Sequence, residues 1–447
     1  MNNEKEERQL EKLEKQRNSV KPNGYLFYMV AVIAIAYMVD EFTSNISTMM
    51  QSEVAIGLFN DRLSLLSLSQ ILSLPLMVLA IFYRTFADKI GRKPILCINL
   101  LGMGAGLFIV MLAGKIAGIT GVALYILAMA VINFFIPNDT QVIYLMESVP
   151  EDKRATYVAL TKACGNLAII LIPLMRRIFM GGDITKWYMV YLVPAVVAIA
   201  SSILCFITLK ETDVFVENRI NYLKTPVEER KQDTKQEKDK NAQGGLGAAF
   251  RYTFAHKQLK WIFISVLLYG IGACGFSYYA KIMDIYYSTE EVTTALTAYP
   301  FSFALGTFIS GYFSDRLGRK TTVLTFGSMS LLSFILFVVG CMNNINPIIP
   351  GLAVGFYMGT FYAAGETMST LMAGESSPTN LRASVMSACS IMNMVGKMLS
   401  TLIPTVVLLI THDNYAYLPW ACALGAIPPM VLTILFFAKN VKETKGA

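Results

Sequence analysis

Long apolar segments, separated by short polar loops, dominate the hydropathy pattern of the chain. A bilayer core about 30 Å thick is crossed by about 20 apolar residues in a helix. With that length as the criterion, the pattern predicts twelve membrane-spanning helices, which we number spans 1 to 12, and therefore an all-α membrane protein. The predicted limits of the spans are 25–48, 64–84, 94–114, 119–146, 155–178, 187–209, 259–281, 295–314, 321–341, 347–373, 382–410 and 416–438.

One long polar segment divides the spans into two blocks of six. It contains the sequence EERKQDTKQEKDKNAQGG. Because lipid cannot solvate so many charged side chains, we predict a cytoplasmic, largely flexible linker with room for one short helix. The charged start of the chain is predicted to be a solvated tail, with a surface helix as the alternative. The predicted units are an N-terminal tail (1–24), a six-helix bundle (25–209), the linker (210–258), a second six-helix bundle (259–438) and a C-terminal tail (439–447).

Lysines and arginines are concentrated on one side of the predicted spans. The side with both termini has six basic residues in the N-terminal tail, and its other basic residues are Arg84, Lys89, Arg92, Lys93, Lys153, Arg154, Arg316, Arg319, Lys320 and Arg382. The basic residues on the opposite side are Arg62, Lys115, Arg176, Arg177 and Lys186. The positive-inside rule therefore predicts a multi-pass plasma-membrane protein with both termini in the cytoplasm. The net charge of +7 reflects this topology, and no nucleic-acid partner is predicted.

The composition agrees with a lipid-facing protein and gives no basis for an enzyme. Hydrophobic residues make up 54% of the chain and charged residues 15%, against about 25% charged residues in soluble domains. The seven cysteines lie within or at the ends of apolar spans and form no C-x-x-C, and the two histidines lie outside the spans. No metal site and no cofactor are predicted. A membrane enzyme or receptor would need a nucleophile–base pair or a folded cytoplasmic domain, and the sequence shows neither.

Three loop motifs occur once in each block of spans. After spans 2 and 8 the chain has ADKIGRK and SDRLGRK, at an offset of 227 residues. After spans 4 and 10 it has E-S-V-P and E-S-S-P, each followed by an arginine, at an offset of 228. After spans 6 and 12 it has K-E-T. Matched loops on corresponding spans indicate a duplicated six-helix unit, which in transporters places the solute site between the two halves.

These motifs resemble those of the major facilitator superfamily, over essentially the whole membrane-spanning length. The D-x-x-G-R-K loop, present twice, is similar to the superfamily's signature between helices 2 and 3. The paired E-x-x-P-x-x-x-R and the terminal E-T-K-G resemble the sugar-porter and organic-ion-transporter branches. The resemblance implies twelve helices in two pseudo-symmetric six-helix bundles, the major facilitator fold.

The repeated D-x-x-G-R-K loops are predicted to control opening of the cytoplasmic side. An aspartate at the C-terminal end of a helix opposes the helix dipole, so a compensating partner is needed. The resemblance implies that Asp88 faces the start of span 11 and that Asp315 faces the start of span 5. Both contacts would break when the halves move apart. The alternative is that the charges of these loops only set the topology.

The neighbouring residues of the same loops are predicted to support this gate. Gly91 and Gly318 permit tight turns. Arg92 and Arg319 can form ion pairs with glutamates of the next cytoplasmic loops. The predicted gating residues are Asp88, Gly91, Arg92, Glu147, Arg154, Asp315, Gly318, Arg319, Glu375 and Arg382.

Carboxylates within the spans are the candidates for proton coupling. Charges at membrane depth cost free energy, and burial favours the neutral form of a carboxyl group, so such a residue can take up a proton. Asp40 is the first choice, because the sugar-porter branch has an aspartate at a similar place on helix 1. That branch pairs it with an arginine on helix 4, which span 4 lacks. Glu366 is the second choice, and an ion pair to Lys162 or Lys397 is the structural alternative. The candidates are Asp40, Glu41, Asp139 and Glu366.

Lys397, near the middle of span 11, is the main indication of the substrate class. A cation at that depth can hold an anionic solute, and organic-anion carriers in the resembling branch use a basic residue on this helix. An ion pair with Glu366 or Asp139 is the alternative. Polar side chains on other spans could form hydrogen bonds with a polar solute. The predicted substrate-binding residues are Lys397, Lys162, Asn133, Asn166, Tyr278, Tyr362 and Asn393.

The predicted function is secondary active transport of a small polar organic solute, such as an organic acid, by alternating access and proton symport. The predicted partners are this solute, protons and the lipid bilayer, with the chain acting as a monomer. Proton-antiport export of drugs or metabolites is the alternative, but exporters of that kind carry G-P-x-x-G-G on helix 5, where this chain has ACGNLAIILIP. A typical sugar is disfavoured because span 7 has LLYGIGACGFSYY and lacks paired glutamines.

Overall fold

The computed structural model describes residues 2–18, 22–73, 75–84, 86–136, 140–150, 154–226, 246–378 and 381–444. Eleven helical segments in these ranges are long and apolar enough to cross a membrane. The segment predicted as span 2 is described as two shorter helices, one on each side of residue 74. The described chain is thus a helical multi-pass membrane protein.

Several spans of the N-terminal half consist of consecutive helices. Span 1 is Tyr25–Met49 and Gln51–Phe59; span 2 is Leu63–Ser73 and Pro75–Arg84; span 3 is Arg92–Ile116; span 4 is Gly118–Phe135 and Thr140–Ser148; span 5 is Arg154–Ala168, Leu171–Met175 and the π-helix Arg176–Met180; span 6 is the 3₁₀ helix Ile184–Tyr191 and Leu192–Thr208. A short helix, Ala87–Ile90, lies between spans 2 and 3.

The spans of the C-terminal half follow the same order. Span 7 is Lys257–Ile271 and Cys274–Tyr286; span 8 is Thr289–Leu317; span 9 is Arg319–Met342; span 10 is Ile348–Glu366, the π-helix Thr367–Met372 and Ala373–Glu375; span 11 is Arg382–Ile410; span 12 is Leu418–Asn440, preceded by the 3₁₀ turn Tyr415–Tyr417.

Helix packing repeats between the two halves. In the N-terminal half, span 1 packs against span 5, and span 3 packs against spans 4 and 6. In the C-terminal half, span 7 packs against span 11, and span 9 packs against spans 10 and 12. Across the halves, span 2 packs against span 11 and span 5 against span 8. Each contact within the N-terminal half has an equivalent six spans later, and the two contacts across the halves are equivalent to each other. The packing therefore agrees with a duplicated unit.

The polar ends of the chain contain more helix than the sequence predicts. The N-terminal tail forms the helix Asn2–Arg17, which packs against a linker helix, Asp213–Lys224. Lys224 Nζ lies 2.7 Å from Glu14 Oε1, in an ion pair between the two helices. The described part of the linker also contains the helix Leu246–Ala255. The tail therefore follows the surface-helix alternative, and one short helix was too few for the linker.

A stripe of glycines allows span 10 to approach span 8. Gly351, Gly355 and Gly359 are four residues apart and so lie on one face of span 10. A Cβ atom at any of them would lie within 2.4 Å of a carbonyl oxygen of span 8. Small residues of this kind let helix backbones approach closely in a membrane, where van der Waals packing drives association.

Replacing Gly355 by leucine is expected to destabilise the C-terminal half. A Cβ there would lie 2.3 Å from the Tyr299 carbonyl oxygen, which belongs to backbone that cannot rotate away. Overpacking of this kind costs about 1–3 kcal/mol or more. Thermal unfolding in detergent would measure the loss. Gly247→Leu is the matched control, because nothing lies within 4 Å of a Cβ at that surface position. Equal unfolding temperatures for both variants would contradict this packing argument.

Candidate functional site

A polar junction joins three loops of the N-terminal half at the end of the bundle where the even-numbered spans finish, which we call the terminal end. Arg92 donates from Nε to both oxygens of Glu147, each at 3.1 Å. Thr212 Oγ1 donates to the same carboxylate at 2.6 Å. Glu211 accepts hydrogen bonds from the backbone N–H groups of Arg92 and Lys93, at 3.0 and 3.2 Å. The three repeated loop motifs therefore meet in one place.

The C-terminal half has the equivalent junction. Arg319 Nε donates to Glu375 Oε1 at 3.3 Å, and Thr444 Oγ1 donates to the other oxygen of Glu375. Glu443 accepts from the backbone N–H groups of Arg319 and Lys320, at 2.8 and 3.0 Å. Each junction thus binds the first turn of span 3 or span 9 through a glutamate, which also satisfies unpaired N–H groups of that turn.

The K-E-T motifs after spans 6 and 12 supply these capping glutamates, a role that sequence reasoning missed. Gly91 and Gly318 have φ angles of 119° and 90°, which favour glycine. A Cβ on either would lie within 2.6 Å of an oxygen of Glu211 or Glu443. Burial raises the pKa of Glu211, while the N–H groups that donate to it act in the opposite direction. The glycines therefore make room for the glutamates as well as for the turns.

Part of the predicted gate lies outside what the structure describes. The side chains of Asp88, Asp315 and Arg154 are among the positions where only the backbone is described. Arg382 donates from Nε to the carbonyl oxygen of Gly374 at 3.0 Å, and so links the start of span 11 to the end of span 10. The opening role of these loops stays a prediction.

Asp40 is buried in span 1 and bound by a side chain of span 4. Its exposed fraction is 8%. Gln141 Nε2 donates to Asp40 Oδ2 at 2.8 Å, and Gln141 is itself 6% exposed. Span 4 therefore supplies an amide as the partner of Asp40. An amide carries both donors and an acceptor, so it can bond a carboxylate or a carboxylic acid.

Glu41, the next residue, lies at the junction of span 1 with spans 5 and 8. Asn45 Nδ2 donates to the Glu41 carbonyl oxygen at 2.8 Å. Tyr299 on span 8 donates to Asn45 Oδ1 at 3.4 Å and so connects the two halves. A Cβ on Gly165 of span 5 would clash with Tyr37, at 2.4 Å, and touch Glu41, at 3.1 Å. The third carboxylate candidate, Asp139, lies outside the described residues.

Lys397 and Tyr362 come together in the C-terminal half. The Lys397 ammonium lies over the Tyr362 ring, 5.0 Å from its centroid. That ring also packs against Phe276 of span 7 and Phe303 of span 8, with centroids 5.2 and 6.1 Å apart. Tyr362 is nevertheless 41% exposed, so part of its ring is not covered by these neighbours.

Glu366 and Lys397 do not form the ion pair that the sequence left open. Glu366 is exposed and lies one turn beyond Tyr362 on the same face of span 10. Lys397 is half-buried, and it makes no ion pair with any carboxylate whose side chain the structure describes. The other proposed partner, Asp139, is outside the described residues. Among the described side chains, Lys397 thus has an aromatic face as its neighbour and no carboxylate as an ion-pair partner.

The remaining predicted binding residues have different surroundings. Asn133 Nδ2 donates to Ser73 Oγ at 2.7 Å, which ties span 4 to span 2. Tyr278 is fully buried, and its hydroxyl bonds Ser67 Oγ and Thr405 Oγ1 at 3.1 and 2.9 Å. Asn166 is 7% exposed, while Lys162 and Asn393 are half-buried. Tyr278 and Asn133 thus use their polar groups within the protein in this state.

Contacts between the halves close the opposite end of the bundle, which we call the distal end. Ser64 donates to Asp413 from both its backbone N and its Oγ, each at 2.8 Å. Lys281 Nζ lies 3.6 Å from Asp61 Oδ1. Ser52 Oγ donates to Asp284 Oδ2. Each contact joins the two halves: one residue lies on or between spans 1 and 2, and its partner lies on span 7 or between spans 11 and 12.

Sequence reasoning missed the buried charges at this distal end. Glu53 and Arg176 form an ion pair with exposed fractions of 2% and 5%. Span 1 was predicted to end at residue 48, but a second helix of this span, Gln51–Phe59, follows the first and buries Glu53. Arg176 was counted among the basic residues on the side opposite the termini, and the structure places it at the start of a π-helix that ends span 5. An acidic residue just beyond the predicted limit of span 1 and a basic residue at the predicted end of span 5 were the signal for this pair.

The model of the Major Facilitator Superfamily matches residues 23–399 and 280–447. No curated protein sequence gives a significant match.

Several solved transporters share the architecture. The inward-open xylose transporter XylE of E. coli matches with a TM-score of 0.67 at 14% identity, over 94% of this chain and 97% of that one. A bacterial homologue of the human lysosomal transporter Spinster, inward-facing and unoccupied, gives 0.59 at 14% identity, over 95% and 96%. The E. coli fucose:proton symporter FucP gives 0.55 at 11% identity, over 94% and 100%. At these identities the similarity shows the fold.

Proposed function

Because the chain belongs to the Major Facilitator Superfamily, we propose that it is a secondary transporter that moves a small organic anion together with protons. The halves alternate between opening at the terminal end and opening at the distal end. The protein lies in the plasma membrane with its terminal end toward the cytoplasm, in line with the concentration of basic residues at that end. The substrate is held between the two halves, against the part of the C-terminal half that spans 7, 8, 10 and 11 form.

The surroundings of Lys397 carry the anion assignment. Its ammonium lies against an aromatic face that is partly accessible, and no described carboxylate neutralises it. A cation over an aromatic ring gains about 0.5–2 kcal/mol, which holds the ammonium in place without cancelling its charge. An entering carboxylate would form a charge-assisted hydrogen bond with Lys397 and could accept another from the Tyr362 hydroxyl. The aromatic side chains Phe276 and Phe303 would cover the apolar part of the solute.

The pair formed by Asp40 and Gln141 supports proton coupling. The carboxyl group is buried at membrane depth, where binding a proton removes the cost of a buried charge. Gln141 can donate to the ionised form and, after its amide rotates, accept from the protonated form. Span 1 also contacts span 5 at Gly165 and span 8 through Asn45. A change of protonation at Asp40 would therefore act where the two halves meet.

Ligand-dependent thermal stability of the purified protein tests the anion assignment. The probes are succinate, benzoate and citrate, with xylose, alanine and choline as other chemical classes. A ligand at 100 times its Kd stabilises by about 2.7 kcal/mol, which shifts the unfolding temperature measurably. We expect a shift with at least one anion, its loss in Lys397→Ala, and partial retention in Lys397→Arg. A shift by a sugar or a cation that survives Lys397→Ala would overturn the assignment.

A further inference from the structure

A second set of buried ionisable groups lies at the distal end, away from Asp40 and Lys397. Glu53 belongs to the last helix of span 1 and Arg176 to the π-helix that ends span 5, so both are in the N-terminal half. Asp284 and Lys281 belong to the second helix of span 7, in the C-terminal half. The second helix of span 7 packs against the last helix of span 1. The cluster therefore crosses the boundary between the halves.

Glu53 has a buried oxygen that no hydrogen bond satisfies. Its Oε1 forms the ion pair with Arg176, which is 5% exposed. Its Oε2 is buried and has no hydrogen-bond partner among the described residues. A buried polar atom in this condition costs free energy, and adding a proton or moving a donor to it removes part of that cost.

Asp284 brings a second negative charge to the same place. It accepts a hydrogen bond from Ser52 Oγ and makes no ion pair with any described side chain. Ser52 directly precedes Glu53, so this hydrogen bond brings Asp284 beside the ion pair of Glu53 and Arg176, where the charges interact. Two carboxylates thus share the field of one guanidinium, which stays protonated at every relevant pH.

Lys281 is directed toward the rim of the distal end. Its Nζ lies 3.6 Å from Asp61 Oδ1 and 4.0 Å from the centroid of the Tyr415 ring. Its charge also acts on Glu53 and Asp284, and it does so less strongly than the charge of Arg176. Among the described residues, the buried phenol of Tyr191 on span 6 also interacts with Glu53, and the buried phenol of Tyr125 on span 4 interacts with Tyr191 in turn.

Opening the distal end would separate the two carboxylates. Glu53 would remain with Arg176 in the N-terminal half, while Asp284 would leave with span 7 and meet water. In the closed state the two like charges are held together in a medium of low dielectric constant, where their repulsion is strong. One proton on the pair removes that repulsion, as in other sites where two carboxylates share a proton.

We propose that Glu53 and Asp284 together bind one proton while the distal end is closed and release it when that end opens. The proton comes from water on the distal side and is shared by the two carboxyl groups. Because binding and closure are linked, acidification of the distal side favours the closed state. This gate goes beyond the proposed function, since it uses a different set of residues from those that bind solute and couple transport.

Distances between spin labels across the gate measure its closure directly. Thr120 and Asn343 are exposed at the distal end of the two halves and can each be replaced by cysteine for labelling, in a Cys164→Ser background. Labelled protein in vesicles is examined between pH 5 and pH 8 without substrate. We expect the closed-to-open ratio to rise by up to about tenfold for each unit by which the pH falls, the limit for one linked proton.

Two variants test the carboxylates separately. Glu53→Gln and Asp284→Asn each remove one charge, so each should keep the gate closed and flatten its pH dependence. If Glu53→Gln does not fold, Asp284→Asn decides. Glu290→Gln is the matched control: Glu290 also faces the other half, 3.8 Å from Arg177, but its side chain is 85% exposed. It should keep the wild-type pH response.

Unchanged pH dependence in both carboxylate variants would overturn the proposal, as would a wild-type gate whose distances do not change with pH. These outcomes are separate from those of the transport assays. A pH-insensitive gate with proton-driven uptake intact would contradict the gate alone. A pH-sensitive gate in a protein that accumulates no anion would contradict the proposed function alone.

Discussion

Replacing Asp40 by asparagine is expected to abolish proton-driven accumulation of the substrate. An inward gradient of two pH units is worth about 2.7 kcal/mol per proton, enough for about 100-fold accumulation in one-to-one symport. Without a group that binds the proton, this free energy is not transmitted and the accumulation ratio should fall to about one. The exchange of labelled for unlabelled substrate should persist, because asparagine preserves the shape of the side chain and the anion site lies elsewhere.

The contact of Asp40 with Gln141 explains why this substitution separates coupling from folding. Asparagine can still accept a hydrogen bond from the Gln141 amide, 2.8 Å away in the native protein, so the packing of span 1 against span 4 is retained. Gln141→Leu makes the complementary change, since it keeps the carboxyl group and removes its partner. That variant should accumulate substrate less strongly than the native protein and show an altered pH profile.

Uptake into vesicles with an imposed pH gradient, beside counterflow without a gradient, measures both properties. Glu217→Gln is the control, a carboxylate-to-amide change on the exposed face of the linker helix. Glu366→Gln examines the second candidate, which should show weaker binding or weaker coupling. Full gradient-driven accumulation by Asp40→Asn would remove the assignment and direct attention to Glu366.

The duplicated architecture could be predicted because its signals lie in short polar loops. Three motifs repeat at nearly one offset, and hydropathy gives the spans between them. The structure then places Arg92 and Arg319 in equivalent junctions, at 3.1 and 3.3 Å from their glutamates. Ion pairs between such loops follow from residue type and spacing. The capping by Glu211 and Glu443 did not, because it depends on backbone N–H groups that carry no sequence signal.

The partners of the embedded residues were harder to predict than the residues themselves. Asp40 is recognisable as a charge within an apolar span. Gln141 is neutral, and nothing in its sequence neighbourhood distinguishes it from other polar residues at the end of span 4. The spacing of Lys397 and Glu366 was compatible with an ion pair, and only the three-dimensional arrangement directs Lys397 over Tyr362 instead.

Hydropathy also placed the span ends too early at the distal side. A window that requires apolar residues stops before Glu53 and Asp284, because it scores each as if it faced lipid alone. Within the folded protein, Arg176 forms an ion pair with Glu53, and Ser52 donates a hydrogen bond to Asp284. The helices therefore continue past the limits that hydropathy predicts. Such compensation between distant segments cannot be seen by any local average. The buried charges at the distal end are therefore the part of the molecule that was hardest to predict from the sequence.

Replacing Arg176 by leucine is expected to be the most destabilising single change at the distal end. It would leave Glu53, 2% exposed, buried without its ion-pair partner. Breaking a buried pair from one side typically costs about 3–5 kcal/mol, because the remaining charge keeps its desolvation penalty. The variant should unfold at a clearly lower temperature in detergent and should recover part of its stability at low pH, where Glu53 becomes neutral.

A double substitution distinguishes loss of the pair from loss of packing. Arg176→Leu combined with Glu53→Leu removes both charges, and replacing a buried pair by apolar residues is often neutral or stabilising. The double variant should therefore be more stable than Arg176→Leu alone, which gives a large coupling energy in the cycle. Arg177→Leu is the matched control, the adjacent arginine, 66% exposed and 3.8 Å from an exposed Glu290. Surface pairs contribute little, so this control should unfold near the native temperature. If the double variant were as unstable as the single one, the stability of this region would come from the shape of the arginine and not from its charge.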